Sequence, residues 1–386
     1  MQIHTHLFLV HEDMIPNITP ALDPEFRPKE VFLLCSPNSN DQTERLELIL
    51  KESGIDVSRW PLNDPWDIEH VRERVLEFVA NHDRENIVLN VTGGTQPMSL
   101  AAYEIFRDMQ KPIYYVQTER DYVVWLYPRD WASFDLADEI KLSQYLKAHD
   151  IHLVNCLKDG ISENYRELTA TLIEKVEKFD KPLLLLNALA SQSKSVGTLV
   201  TTSIKEDSLR KTELRDLIDL FVSNKLIERL PENMLRFMSK EALEYINGGW
   251  LEEHVYGVLY NLRKEIPTIQ DLARNVEVKW GSKRRLIDNE FDVAFLADNR
   301  LYIIECKTKK FSDDMNPYAA AAQAIYKLDA LRDNMGGVGT RAMFVSYHDL
   351  DKFARDRANG LGIAICCHKE IHYIEDFFKS WINKSC

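Results

Sequence analysis

Short apolar runs and amphipathic stretches alternate along the first third of the chain. The runs HLFLVHE, EVFLLCS, NIVLNV, PIYYVQ and YVVWLYP read as strands. Between them, Ile68, Val71, Val75 and Phe78 recur at helical spacing, and Ser39 or Asn40 can cap a helix that begins near Asp41 and ends at Gly54. Strand and helix in strict alternation predict a mostly parallel, Rossmann-like sheet over residues 1–145. The next segment, residues 146–247, is less regular. Its stretch NALASQSKSVGTLVTTS (187–203) is small and polar and reads as a linker or loop. After it come a helix, a hairpin turned at Pro231-Glu232-Asn233 and another helix, the layout of a winged helix-turn-helix. Such a module binds DNA or serves structure and dimerisation. Residues 248–386 follow the order αβββαβ with flanking helices, an α/β domain in its own right.

One hairpin in that last domain breaks the expected pattern. Val293, Phe295, Leu301, Ile303 and Ile304 suit buried strands, yet Asp292, Glu305 and Lys307 sit in or beside them. A tight turn at Asp298-Asn299 places Asp292 directly opposite Glu305, with Lys307 on the same face. Two opposed carboxylates repel unless a cation lies between them, and a hard divalent ion is the natural one. In the preceding helix, Glu252 shares a face with Val255, Tyr256 and Leu259 and leans toward the core, where a carboxylate needs a partner.

Composition narrows the class. The 386 residues are too many for one ordinary core. They are 45% hydrophobic, and no apolar run reaches the ~18 residues of a membrane span. Met1 opens no signal-peptide pattern, and six cysteines without zinc-type spacing suit a reducing, cytoplasmic setting. A net charge of −13 argues against nonspecific coating of nucleic acid. It leaves room for a local basic groove, with Arg284 and its neighbours before the hairpin and Lys309 after its acids.

A second signal is NVTGGTQPMS (90–99): a strand, two glycines and a helix that opens at Pro97. Free amides of Gly93, Gly94 and Thr95 would make an anion cradle, with the Thr92 and Thr95 hydroxyls beside it. There is no Walker lysine and no GxGxxG, so neither an ATPase nor a dinucleotide enzyme is indicated.

Two resemblances follow from these residues. Asp292, Glu305 and Lys307 after a GGWLEEHV helix resemble the PD-(D/E)xK nuclease superfamily, although Phe291 stands where the motif has proline. That likeness implies Mg²⁺ or Mn²⁺ held by Glu252, Asp292 and Glu305, an attacking water positioned by Lys307, and substrate contacts from Gln323 and Lys327. The TGGT turn resembles the signature of CARF sensor domains, which dimerise around cyclic oligoadenylate. Ligand contacts would then come from the loop after the first strand (His11 to Asn17), from Ser36, Pro37 and Asn38, and from Thr92 to Gln96. Together the two domains resemble the CRISPR ancillary nucleases activated by cyclic tetra-adenylate. The implied protein is a cytoplasmic homodimer that cleaves DNA and/or RNA in type III CRISPR defence. A different expectation is a ligand-responsive transcription regulator, with the winged helix reading DNA and the nuclease-like domain silent.

Overall fold

In the computed structural model, residues 4–82, 86–158, 165–282, 285–308, 317–335 and 339–383 are described. Arg284 and Lys309 therefore lie outside the described residues.

The first sheet has seven strands: β1 (Thr5–Leu9), β2 (Glu30–Cys35), β3 (Asp56–Pro61), β4 (Ile87–Asn90), β5 (Ile113–Gln117), β6 (Tyr122–Tyr127) and β7 (Phe134–Asp135). Their order is β3-β2-β1-β4-β5-β6-β7. The first five pair in parallel and β6 and β7 add an antiparallel edge. Helix Ile68–Asn81 buries Val71, Val75 and Phe78, while Ile68 stays partly exposed. β3 lacks an apolar run because no face of it is fully covered, and for that reason it is absent from the strands read from the sequence.

The 146–247 segment departs from a linker. β8 (His152–Leu157) pairs antiparallel with β11 (Ile269–Ser282) and closes one edge of the second sheet. Residues 187–196, expected as linker or loop, form the end of helix Val176–Val196. The small residues Ala190 and Ser193 are packing contacts, buried together with Leu189, and Gly197 ends the helix at φ 74°. Helix Thr212–Ser223, hairpin β9 (Ile227–Leu230) with β10 (Met234–Phe237), and helix Lys240–Glu244 follow as the sequence pattern indicates.

The second sheet has the order β15-β14-β13-β12-β11-β8, with β12 (Arg285–Ala297), β13 (Arg300–Lys307), β14 (Arg341–Ser346) and β15 (Ala364–Cys367). Helices Trp250–Leu262 and Ile374–Asn383 pack on one face, and helix Pro317–Asn334 contributes Ile325, Leu328 and Leu331 to the core on the other. That second core is shared: Phe8, Val31 and Leu33 of the first sheet belong to the same apolar cluster as Tyr145, Ala273 and Phe344. The two sheets are one packed body.

Candidate active site and sensor pocket

β12 and β13 pair in the register expected from the turn, Val293 with Ile304 and Ala297 with Arg300. Asp298 and Asn299 both have positive φ, 48° and 52°, the conformation of a two-residue hairpin turn. Beyond Val293 the ladder stops. There the Cys306 amide donates to Asp292 Oδ2 at 2.6 Å, so a side chain takes over from the neighbouring strand. β13 continues alone beside β14, carrying Glu305, Cys306 and Lys307.

The helix with Glu252 is set against this opening by an unusual approach. A π-helical turn, Tyr245–Gly249, leads into it, and Gly248 has φ 129°. A Cβ at Gly248 would lie 2.4 Å from Thr308 Oγ1, so only glycine fits between helix and strand. Trp250 then packs edge-to-face on Tyr347 with ring centroids 5.2 Å apart.

Electrostatics tie the four groups together. Burial raises the Glu252 carboxyl to about 7; Lys307 opposes the rise, and Glu290, Glu305 and Glu253 add to it. Asp292 is raised well above the ordinary aspartate value, first by burial and then by Glu305 and Glu252. For Lys307, burial pulls the ammonium down, but Glu305 and Asp292 outweigh it and leave it above the usual lysine value. Lys307 Nζ is paired with Glu305 Oε1, whose residue is only 7% exposed. Fully ionised, as a bound cation would make them, three carboxylates against one ammonium carry two negative charges, the amount a divalent ion neutralises. The donors fit Mg²⁺ or Mn²⁺ in chemistry and charge. They are not preassembled: among the described residues no three His, Cys, Asp or Glu side chains gather as a metal-holding group. Asp292 is engaged by the Cys306 amide and Glu305 by Lys307. Gln323 and Lys327 lie exposed on helix Pro317–Asn334.

In the first sheet, the ends of β1, β2 and β4 border a cavity of about 240 Å³. Of the residues expected at a ligand, His11, Glu12, Ser36, Asn38 and Thr95 line it. Pro37, Thr92, Gly93, Gly94 and Gln96 do not. Thr92 is occupied in the fold: its Oγ1 donates to Asn90 Oδ1 at 2.7 Å and accepts from the Val116 amide at 2.7 Å. Gly93 and Gly94 press on β1 rather than on open space, with a Cβ at Gly93 only 2.2 Å from Leu9 O and Gly94 at φ 81°. The loop after β1 is also shorter than expected, because helix Ile15–Leu22 begins within it and Asn17 is buried, donating to Leu9 O at 3.1 Å. Sequence reasoning missed Ser39, Gln42, Pro65 and Trp66, which complete the lining. Trp66 was detectable: an aromatic residue between turn formers (DPWD), it is 64% exposed.

Comparisons with known proteins agree with both halves. Residues 5–145 match the family model of the Card1 CARF domain, and residues 239–385 match that of the Card1-like endonuclease domain. A crystal structure of protein VC1899 from Vibrio cholerae has a TM-score of 0.89 at 26% identity, covering 99% of this chain and 98% of that one. The structure of Can2 from Sulfobacillus thermosulfidooxidans in complex with cyclic tetra-adenylate has a TM-score of 0.81 at 27% identity, covering 98% of this chain and 99% of that one. A type III CRISPR defence DNA nuclease activated by cyclic oligoadenylate shares the fold at 18% identity and TM-score 0.53, over 90% of this chain and 45% of that one. A comparison with the curated proteins finds no match.

Proposed function

Because this chain belongs to the CRISPR ancillary nucleases that join a Card1 CARF domain to a Card1-like endonuclease domain, we propose that it is a nuclease switched on by cyclic tetra-adenylate and dependent on a divalent metal. The observation that carries the reading is the Glu252, Asp292, Glu305 and Lys307 group at the point where β12 and β13 part. A Mg²⁺ or Mn²⁺ ion held by the three carboxylates would polarise the phosphodiester and lower the pKa of the attacking water. Lys307, kept cationic by its acidic neighbours, stands ready to stabilise negative charge that develops on the phosphate. Glu305 fixes the direction of that ammonium. The half-buried setting strengthens both interactions by excluding water.

At the sensor, His11, Ser36 and Asn38 offer polar groups to the activator, and Trp66 offers an aromatic face to an adenine. Two copies of the chain around a two-fold ring would each present this lining. No helix among the described residues is long and apolar enough to cross a membrane.

The test is incubation of plasmid, single-stranded DNA and RNA with Mn²⁺, with and without cyclic tetra-adenylate, for the parent and Glu305→Gln. Activator-dependent cleavage by the parent alone supports the reading. Equal cleavage by both proteins removes the carboxylate site, and cleavage by neither under any condition favours the transcription-regulator reading.

A further inference from the structure

Thr308 follows Lys307 at the end of β13 and is 5% exposed. Three distant parts of the chain close on it. Asn187 Nδ2 donates to its carbonyl at 2.8 Å, and His348 Nε2 reaches the same oxygen at 2.7 Å. Gly248 lies against its hydroxyl. One residue earlier, the Tyr347 amide donates to Lys307 O at 2.9 Å. The peptide groups on both sides of Thr308 are therefore held from outside the strand.

His348 makes a second contact through Nδ1, which meets the Asp180 carboxylate. A carbonyl has no proton to give, so Nε2 is the donor to Thr308, while Nδ1 faces the Asp180 carboxyl group. Asp180 and Asn187 come from one element, helix Val176–Val196. The middle segment thus reaches the end of the strand that bears Glu305 and Lys307.

We propose that His348, backed by Asp180 and joined by Asn187, is a positioning residue for the nuclease reaction: it fixes the carbonyl of Thr308, the residue next to Lys307, and so sets where the Lys307 ammonium stands. The proposal rests on the nuclease reading above. A misplacement of about 1 Å at a reacting group costs on the order of 10²-fold in rate. Glutamine places an amide N–H where Nε2 stands, and asparagine places one where Nδ1 stands, so the two substitutions keep different halves of the relay.

The experiment measures kcat and KM for cleavage with saturating cyclic tetra-adenylate and Mn²⁺ in the parent, His348→Ala, His348→Gln, His348→Asn and Asn187→Ala, with a thermal melt of each. Expected is a fall in kcat of about 10- to 100-fold for His348→Ala with KM unchanged, largely restored in His348→Gln and not in His348→Asn. If the alanine variant fails to fold, the Gln and Asn pair decides. A folded His348→Ala that cleaves at the parent rate overturns the proposal, as does equal loss in Gln and Asn. A parent inert on every strand overturns the nuclease reading itself, an outcome distinct from both.

Discussion

Asp292 and Glu305 occupy positions that only a compensating cation makes comfortable, and the raised Asp292 carboxyl records the discomfort. Replacing either removes repulsion rather than opening a cavity. Glu305→Gln and Asp292→Asn, which keeps an acceptor for the Cys306 amide, are expected to melt no lower than the parent while losing cleavage completely; a cleavage assay paired with a melting curve checks both. Lys307→Ala is expected to retain metal binding and to lower turnover by about 10²–10³-fold, the usual cost of losing one charge-stabilising donor. Loss of metal affinity as large as that of Glu305→Gln would contradict its role. The glycines of the TGGT turn belong to a different account. Gly93 and Gly94 are demanded by contact with Leu9 and by positive φ, so Gly94→Val is expected to destabilise the fold by about 1–3 kcal/mol whether or not activator is present. The turn is visible in the sequence, but its reason is not, because Leu9 lies on another strand.

The β12–β13 hairpin spans both functions. Its root holds Asp292 and Glu305, and its tip is buried in the sensor: Asn299 Nδ2 donates to the Asp121 carboxylate and to Ala137 O, the latter at 3.1 Å, while the Asn299 amide donates to Gln270 Oε1 at 2.9 Å. Burial pushes Asp121 up to about 7, against the Asn299 hydrogen bond. Between about pH 4 and that value the folded protein keeps a proton on Asp121 that the unfolded chain has lost, so stability falls as pH rises through the window. Asp121→Asn keeps an acceptor for Asn299 and removes the titration. Its melting temperature is expected to gain on the parent from pH 5 to pH 8; a constant difference would contradict the assignment. The hairpin was legible because Asp298-Asn299 between alternating apolar residues dictates turn and register together. β3 and the end of helix Val176–Val196 were not, since the first has no covered face and the second packs through small residues. The Asp180–His348 contact joins positions far apart in sequence, which no local pattern reports.

At the scale of the molecule, sensor pocket and carboxylate site sit in different sheets joined by one apolar core and by the hairpin tip. A ligand in one affects the other only by favouring one arrangement of the two. Our reading makes that coupling reciprocal for binding, so substrate and metal at the nuclease must tighten the activator at the sensor by the same factor that the activator tightens substrate. The most direct measurement is calorimetric titration of cyclic tetra-adenylate into Glu305→Gln, with and without a non-cleavable strand and Ca²⁺. Affinity higher with strand and ion, by about 5- to 150-fold for a typical coupling, is the expected result. Identical affinities in the two conditions, with the parent cleaving equally well without activator, would contradict the account.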